Sequence, residues 1–208
     1  MTPEEFVQKY YPFALESEQE TGISALAIMA QAALESGWGE KAIGNNLFGI
    51  KYRKGDWGYQ KVLTTEYSSS KNAYNGQEVK SIEYDSDKKL YKFKVWQYFA
   101  DYPTPKEAFL AHSQLLLTER YKHALRWKDN PTRYLIAIWQ AGYATDPEYG
   151  EKMKAMVKSI EKRLPTKKES VREVIKKLQI IKRIEPKLFS IPKKVVNLEK
   201  DKLKNRIK

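Results

Sequence analysis

Ala25-Leu26-Ala27-Ile28-Met29-Ala30-Gln31-Ala32-Ala33-Leu34-Glu35-Ser36-Gly37-Trp38-Gly39 is the stretch on which the fold turns. From Ala25 to Leu34 it is apolar on nearly every side of a helical wheel, so it reads as a helix that is central and buried. Glu35 sits at the C-terminal end of that helix, just before Gly37 and Gly39 break it. A carboxyl group abutting a buried apolar helix is poorly solvated, and desolvation raises its pKa. The negative end of the helix dipole pushes the same way, and Trp38 is expected to add apolar cover. Such an environment suits a general acid working near neutral pH. On physics alone, an ordinary solvated helix-end glutamate fits equally well.

Upstream, Thr2-Pro3-Glu4-Glu5 is a helix start, with Thr2 as N-cap and Glu5 closing a capping box. Phe6, Tyr10, Phe13 and Ala14 then recur at helical spacing to about Glu20, and Gly22 ends the helix. Downstream, residues 40–58 are rich in Gly and Asn and read as an ordered loop. Residues 59–98 are rich in Tyr, Val, Thr and Lys, which predicts two or three antiparallel strands with a turn at Asn75-Gly76. Tyr91, Phe93 and Val95 share one face of the last strand, and a serine-rich connection at Ser68-Ser69-Ser70 suggests that this lobe moves. Helices resume at the capping box Thr104-Pro105-Lys106-Glu107, over Tyr121 to Trp127, at Asn130-Pro131 and at Asp146-Pro147, the last running to Leu164. The expected architecture is α+β: a mainly helical lobe, a small antiparallel β lobe over about residues 57–100, and a cleft between them.

The chain has 208 residues, 41% of them hydrophobic, which is enough for a core and excludes wholesale disorder. It has no cysteine, which excludes a disulfide scaffold, a thiolate metal site and a cysteine nucleophile. With only His112 and His123, a histidine-rich metal centre is not expected, and no metal or cofactor is assigned. The net charge of +12 is uneven: residues 1–164 carry a net +2 and residues 165–208 a net +10. No segment has the apolar length needed to span a bilayer.

Ala33-Leu34-Glu35-Ser36-Gly37-Trp38-Gly39, followed by Asn45-Asn46-Leu47-Phe48-Gly49-Ile50-Lys51, resembles the signature of glycoside hydrolase family 73, the peptidoglycan N-acetylglucosaminidases of autolysins and flagellar rod-associated hydrolases. Thr64-Thr65-Glu66-Tyr67 and Trp139-Gln140-Ala141-Gly142-Tyr143-Ala144-Thr145-Asp146-Pro147-Glu148-Tyr149 agree with the family in order and spacing. The resemblance covers about residues 3–164 and implies a lysozyme-like fold that cleaves the β-1,4 bond between N-acetylglucosamine and N-acetylmuramic acid. It makes Glu35 the general acid, Glu66 the second glutamate on the β lobe, and Tyr143 a tyrosine close to the reacting sugar. Asn46, Phe48 and Gly49 match the loop that shapes the cleft, Trp38 is placed beneath that loop, and Tyr149 is a further substrate-binding position.

Each position has a plainer alternative. Glu66 fits a solvent-facing strand residue, with Glu83, Asp85 and Asp56 as other acids of that region. Tyr143 fits a core tyrosine with a satisfied hydroxyl, and Trp139 a core side chain. Asp146 fits a helix N-cap. His112 and His123 are read as structural or surface groups, outside the chemistry. Two routes stay open: Glu66 activates water as base, or the substrate's own 2-acetamido group attacks while Glu66 and Tyr143 position or stabilise the intermediate.

A muramidase or lytic transglycosylase on the same fold, or a non-catalytic wall-binding or structural component, are alternatives. Residues 165–208 form a basic amphipathic tail, helical or extended, with Val171, Val174, Ile175, Leu178, Ile181 and Ile184 as its apolar stripe. The tail is expected to dock on a protein assembly or on anionic wall polymers. Nucleic acid is not the expected partner, because no recognition motif accompanies the charge. No signal peptide is legible at the N-terminus, so action at the cell wall or periplasm implies delivery by a virion, a secretion apparatus or another non-classical route.

Overall fold

The structure, a computed structural model, describes residues 1–164. The amphipathic stripe and the other readings made for residues 165–208 lie outside the described residues. Two helices come first, α1 (Pro3–Thr21) and α2 (Ala25–Ser36). Three strands follow, β1 (Tyr59–Ser68), β2 (Val79–Asp85) and β3 (Leu90–Ala100). Then come α3 (Pro105–Leu116), a 3₁₀ segment (Glu119–Trp127), α4 (Pro131–Gln140) and α5 (Tyr149–Glu161).

Local chemistry sets most of the helix ends. Thr2 and Glu5 form the capping box of α1, and Gly22 ends it. Asn130 caps α4 by accepting from the Arg133 amide at 3.0 Å. At α3 the capping box takes a different form: Thr104 accepts from the Lys106 amide, and its hydroxyl donates to the Glu107 carboxylate. Asp146 is not the N-cap of α5. It accepts from the Glu148 amide in a turn ahead of the helix, which begins only at Tyr149 and ends at Glu161.

α2 is the hub. It packs against α1, α4 and α5. Its Ala27, Ile28, Met29, Ala30, Ala32 and Ala33 are fully buried. Each large apolar side chain buried this way contributes about 1.5–3 kcal/mol. An aromatic run from Phe6 through Tyr10 to Phe109 and Phe48 joins α1, α3 and the loop after α2. A Ser17–Ser113 hydrogen bond of 2.7 Å satisfies two buried hydroxyls between α1 and α3.

The sheet order is β1-β3-β2, all antiparallel. The Asn75-Gly76 turn therefore closes no hairpin, because β1 and β2 are not neighbours. The connection folds on itself, and its Tyr74 packs on Phe93 with ring centroids 4.8 Å apart. The tight hairpin is the one between β2 and β3, pinned by the Lys88 amide donating to Asp85 and by Lys89 in the left-handed region at φ 55°. Beside β3, residues 50–52 continue the pairing: Ala100 donates to the Ile50 carbonyl and Tyr52 to the Tyr98 carbonyl.

Asn46 ties this seam to the helices. It is 2% exposed. Its Nδ2 donates to the carbonyls of Ile50 and Ala100, both at 2.9 Å, and its Oδ1 accepts from the Ile50 amide at 3.1 Å. Asn46→Ala would remove the partners of the Ile50 amide and the Ala100 carbonyl, while the Ile50 carbonyl keeps its bond from the Ala100 amide, at about 1–3 kcal/mol for each group left unpaired. The expected result is a lower unfolding midpoint in urea with an unchanged m-value. An unchanged midpoint would show that water replaces the amide at no cost.

Candidate active site

Glu35 lies on the last turn of α2, where Gly37 (φ 56°, ψ 53°) takes the left-handed conformation that stops the helix. Such a φ favours glycine. Trp38 follows with φ 58°, and its amide donates back to the Ala33 carbonyl at 2.8 Å. This reversal carries the Trp38 ring onto Phe6, edge-on at 5.6 Å, with the Arg163 guanidinium over it at 5.7 Å. Trp38 therefore packs on α1 and the end of α5. It is not among the residues that line the cavity beside Glu35.

Glu35 faces a cavity of about 810 Å³. The Tyr149 hydroxyl, from the first turn of α5, donates to Glu35 Oε1 at 2.9 Å. Gln31, one turn back on the same face of α2, meets Tyr149 in turn, its Nε2 donating to the hydroxyl at 3.4 Å. Burial pushes the Glu35 pKa above its ordinary value, and the Tyr149 hydrogen bond, which favours the charged form, opposes it more weakly. Glu35 is thus a carboxyl that holds its proton above the usual carboxylate range and faces open space.

Tyr149→Phe removes the group that favours ionisation. The Glu35 pKa is then expected to rise further, and the alkaline limb of any activity profile that follows this proton to move to higher pH. A pH–rate titration of the variant checks this, and an unmoved or downward-shifted limb would dissociate Tyr149 from Glu35.

The other cavity walls come from three loops and helix faces. Phe48, Gly49, Ile50, Lys51 and Arg53 form one side, and Leu115, Tyr121, Tyr143 and Asp146 another. At Gly49 an added Cβ would meet nothing within 4 Å, but φ is +64°. The need for glycine there is conformational, not steric. Asn46 shapes this loop from behind, with both Nδ2 hydrogens committed to the Ile50 and Ala100 carbonyls. Phe48 and Tyr143 line the cavity, as does Tyr149, here as the direct partner of Glu35. Asp146 is taken up by Lys152 at 2.6 Å.

Glu66 stands apart from these residues. It pairs with Phe93 across the sheet and so shares the face of Phe93 and Val95, half-buried. It does not line the cavity that Glu35 faces. Its charge acts on Lys51, which does line it: burial lowers the Lys51 pKa, and Glu66 opposes the shift. Lys51 Nζ lies 3.8 Å from the centre of the Phe99 ring. The structure thus brings Glu35, Tyr143, Tyr149, Phe48 and Gly49 together, with Glu66 one residue removed.

Sequence reasoning missed the position of His112. It is fully buried on α3, stacked on Phe48 with ring centroids 3.9 Å apart and planes 10° apart. Its Nε2 is 3.4 Å from the Tyr143 hydroxyl. Burial pushes its pKa down to about 3, so the ring is neutral. The signal was available: Phe109, His112, Ser113 and Leu116 fall at helical spacing on the buried face of α3. Among the described residues no group of three or more His, Asp or Glu side chains converges to hold a metal ion.

A helical lobe, a small antiparallel sheet and a largely buried carboxyl of raised pKa at the end of the central helix fit a glycoside hydrolase architecture. Residues 11–162 match the family model described as mannosyl-glycoprotein endo-beta-N-acetylglucosaminidase. The chain belongs to this glucosaminidase family of glycoside hydrolases. It is 31% identical over 167 residues to the peptidoglycan hydrolase FlgJ of Pseudomonas aeruginosa, covering 76% of this chain and 37% of that protein. It is 33% identical over 169 residues to an autolysin of Enterococcus faecalis, covering 75% of this chain and 20% of the relative. Among solved structures, the glycoside hydrolase domain of Salmonella typhimurium FlgJ in C-terminally truncated form superposes with a TM-score of 0.57 at 28% identity, over 76% of this chain and 97% of that one. The chain spans less than half the length of the FlgJ relatives it matches.

Proposed function

We propose that the protein hydrolyses the β-1,4 bond between N-acetylglucosamine and N-acetylmuramic acid in peptidoglycan, at the bacterial cell wall or periplasm. The observation that carries this is the Glu35 carboxyl at the cavity wall, its pKa raised by burial and its Oε1 held by the Tyr149 hydroxyl. The names of its relatives, peptidoglycan hydrolase and autolysin, support the substrate.

In this reading Glu35 gives its proton to the leaving oxygen as the C1–O bond breaks. The substrate's acetamido oxygen closes on C1, and water then opens that ring while the Glu35 carboxylate takes up a proton. Tyr143 offers its hydroxyl to the reacting sugar, and Glu66 favours the charged form of Lys51 at the cleft wall. Residues 165–208, with a net +10, serve as a docking segment for anionic wall polymers or a protein assembly. Digestion of purified peptidoglycan followed by mass spectrometry of the fragments tests the bond. Reducing-end N-acetylglucosamine is expected; reducing-end N-acetylmuramic acid or its anhydro form would make the protein a muramidase or a lytic transglycosylase. A chain ending at Leu164 should keep activity on soluble glycans and lose retention on walls; equal retention would remove the docking role.

A further inference from the structure

His112 has one nitrogen against Tyr143 and one against nothing. Nδ1 is buried and, among the described residues, has no hydrogen-bond partner. Nε2 lies 3.4 Å from the Tyr143 hydroxyl. A neutral imidazole carries a single proton, and two tautomers are available. With the proton on Nδ1, a buried N–H would be left unmatched, the rarest and most costly kind of orphan in a protein interior. With the proton on Nε2, the unmatched atom is a lone pair, and the N–H is used on the Tyr143 oxygen.

The second arrangement has a consequence for Tyr143. Once its oxygen accepts from His112, its own O–H cannot point back at that nitrogen and has to turn elsewhere. Tyr143 lines the cavity together with Glu35. Burial holds the phenol well above its ordinary pKa, and the Glu35 carboxylate adds to this whenever it is ionised, so the proton stays on. The Phe48 ring, stacked almost parallel on His112, prevents the imidazole from turning to release this contact.

We infer that His112 is a positioning residue, an Nε2–H donor that turns the Tyr143 hydroxyl into a hydrogen-bond donor aimed at a polar oxygen of the sugar bound beside Glu35. The inference deepens the proposed glucosaminidase reading and rests on it for the identity of the acceptor. The tautomer does not depend on that reading.

Two measurements test it. In ¹⁵N-labelled protein the His112 ring should show a protonated, pyrrole-type Nε2 and a pyridine-type Nδ1; the reverse pattern overturns the inference whatever the enzyme does. On peptidoglycan, His112→Phe keeps a ring for Phe48 to stack on and should lower kcat about 10- to 100-fold with KM little changed, the usual scale for removing an orienting partner. His112→Gln can place an amide N–H near the Nε2 position and should recover part of that loss. Combined with Tyr143→Phe, His112→Phe should add almost nothing, since its effect passes through that hydroxyl. Equal losses in the Phe and Gln variants, or full additivity with Tyr143→Phe, would reduce His112 to a packing residue. Absence of activity in the unaltered protein would overturn the proposed function and leave the tautomer result standing.

Discussion

Glu35→Gln is expected to abolish glycan hydrolysis, with a loss of about 10²–10⁴-fold or more, while leaving the fold intact. The amide keeps the shape of the acid, and its oxygen can still accept from Tyr149 as Oε1 does now at 2.9 Å. What disappears is the transferable proton. The same change should stabilise the protein, and the sign follows from the raised pKa. A carboxyl whose pKa is higher in the folded state favours folding while protonated, and that contribution is lost as pH rises through the folded value. Above it the unaltered protein bears a buried charge that glutamine does not. Melting curves should therefore show the variant more stable at neutral pH, by about 2–4 °C for each kcal/mol in a chain of this size, and no more stable below about pH 4, where both side chains are neutral. Near-normal turnover in the variant would remove Glu35 from the reaction.

Tyr143→Phe is expected to cost more than Glu66→Gln. Tyr143 lines the cavity beside Glu35, and removing one directed donor to a reacting group costs about 10²–10³-fold. Glu66 reaches the cavity through the charge of Lys51, so its loss should be smaller and should weaken substrate binding more than turnover. External azide should fail to restore Glu66→Gln, because azide replaces a carboxylate that delivers a nucleophile. Restoration by azide, or a Glu66→Gln loss exceeding that of Tyr143→Phe, would make Glu66 the base and discard the acetamido route. Steady-state kinetics of the two variants, with and without azide, decides between them.

The helices were legible because their ends are written locally. Thr2 with Glu5, Gly22 and Asn130 each act within four residues of themselves. The hub helix was legible because no other environment suits a segment apolar on all sides. Asp146-Pro147 misled because an aspartate can close a turn with the same hydrogen bond it uses at a helix start, and here the turn comes first. Pairing in the sheet is non-local: nothing within β1 shows that its partner lies beyond β2. The contact of Trp38 with Phe6 was not legible because two successive left-handed residues, Gly37 and Trp38, reverse the chain after α2. Glu35 and Tyr143 were legible as motif residues, whereas the His112 contact exists only once α3 and the loop bearing Phe48 have met.

The strand order has a consequence for synthesis of the chain. β3, the central strand, is the last of the three to be made. At about 5–20 residues per second, β1 waits a few seconds on the ribosome with both edges unpaired. During that interval Leu63 and Tyr67 have nothing to lie against, and extended segments of this kind attract other nascent chains. Lys61 within β1, Lys80 within β2, and Lys92 and Lys94 within β3 place a cation on every strand. A charge brought against an incoming apolar strand disfavours pairing with strangers. The lysines that make the finished sheet so polar thus protect the unfinished one.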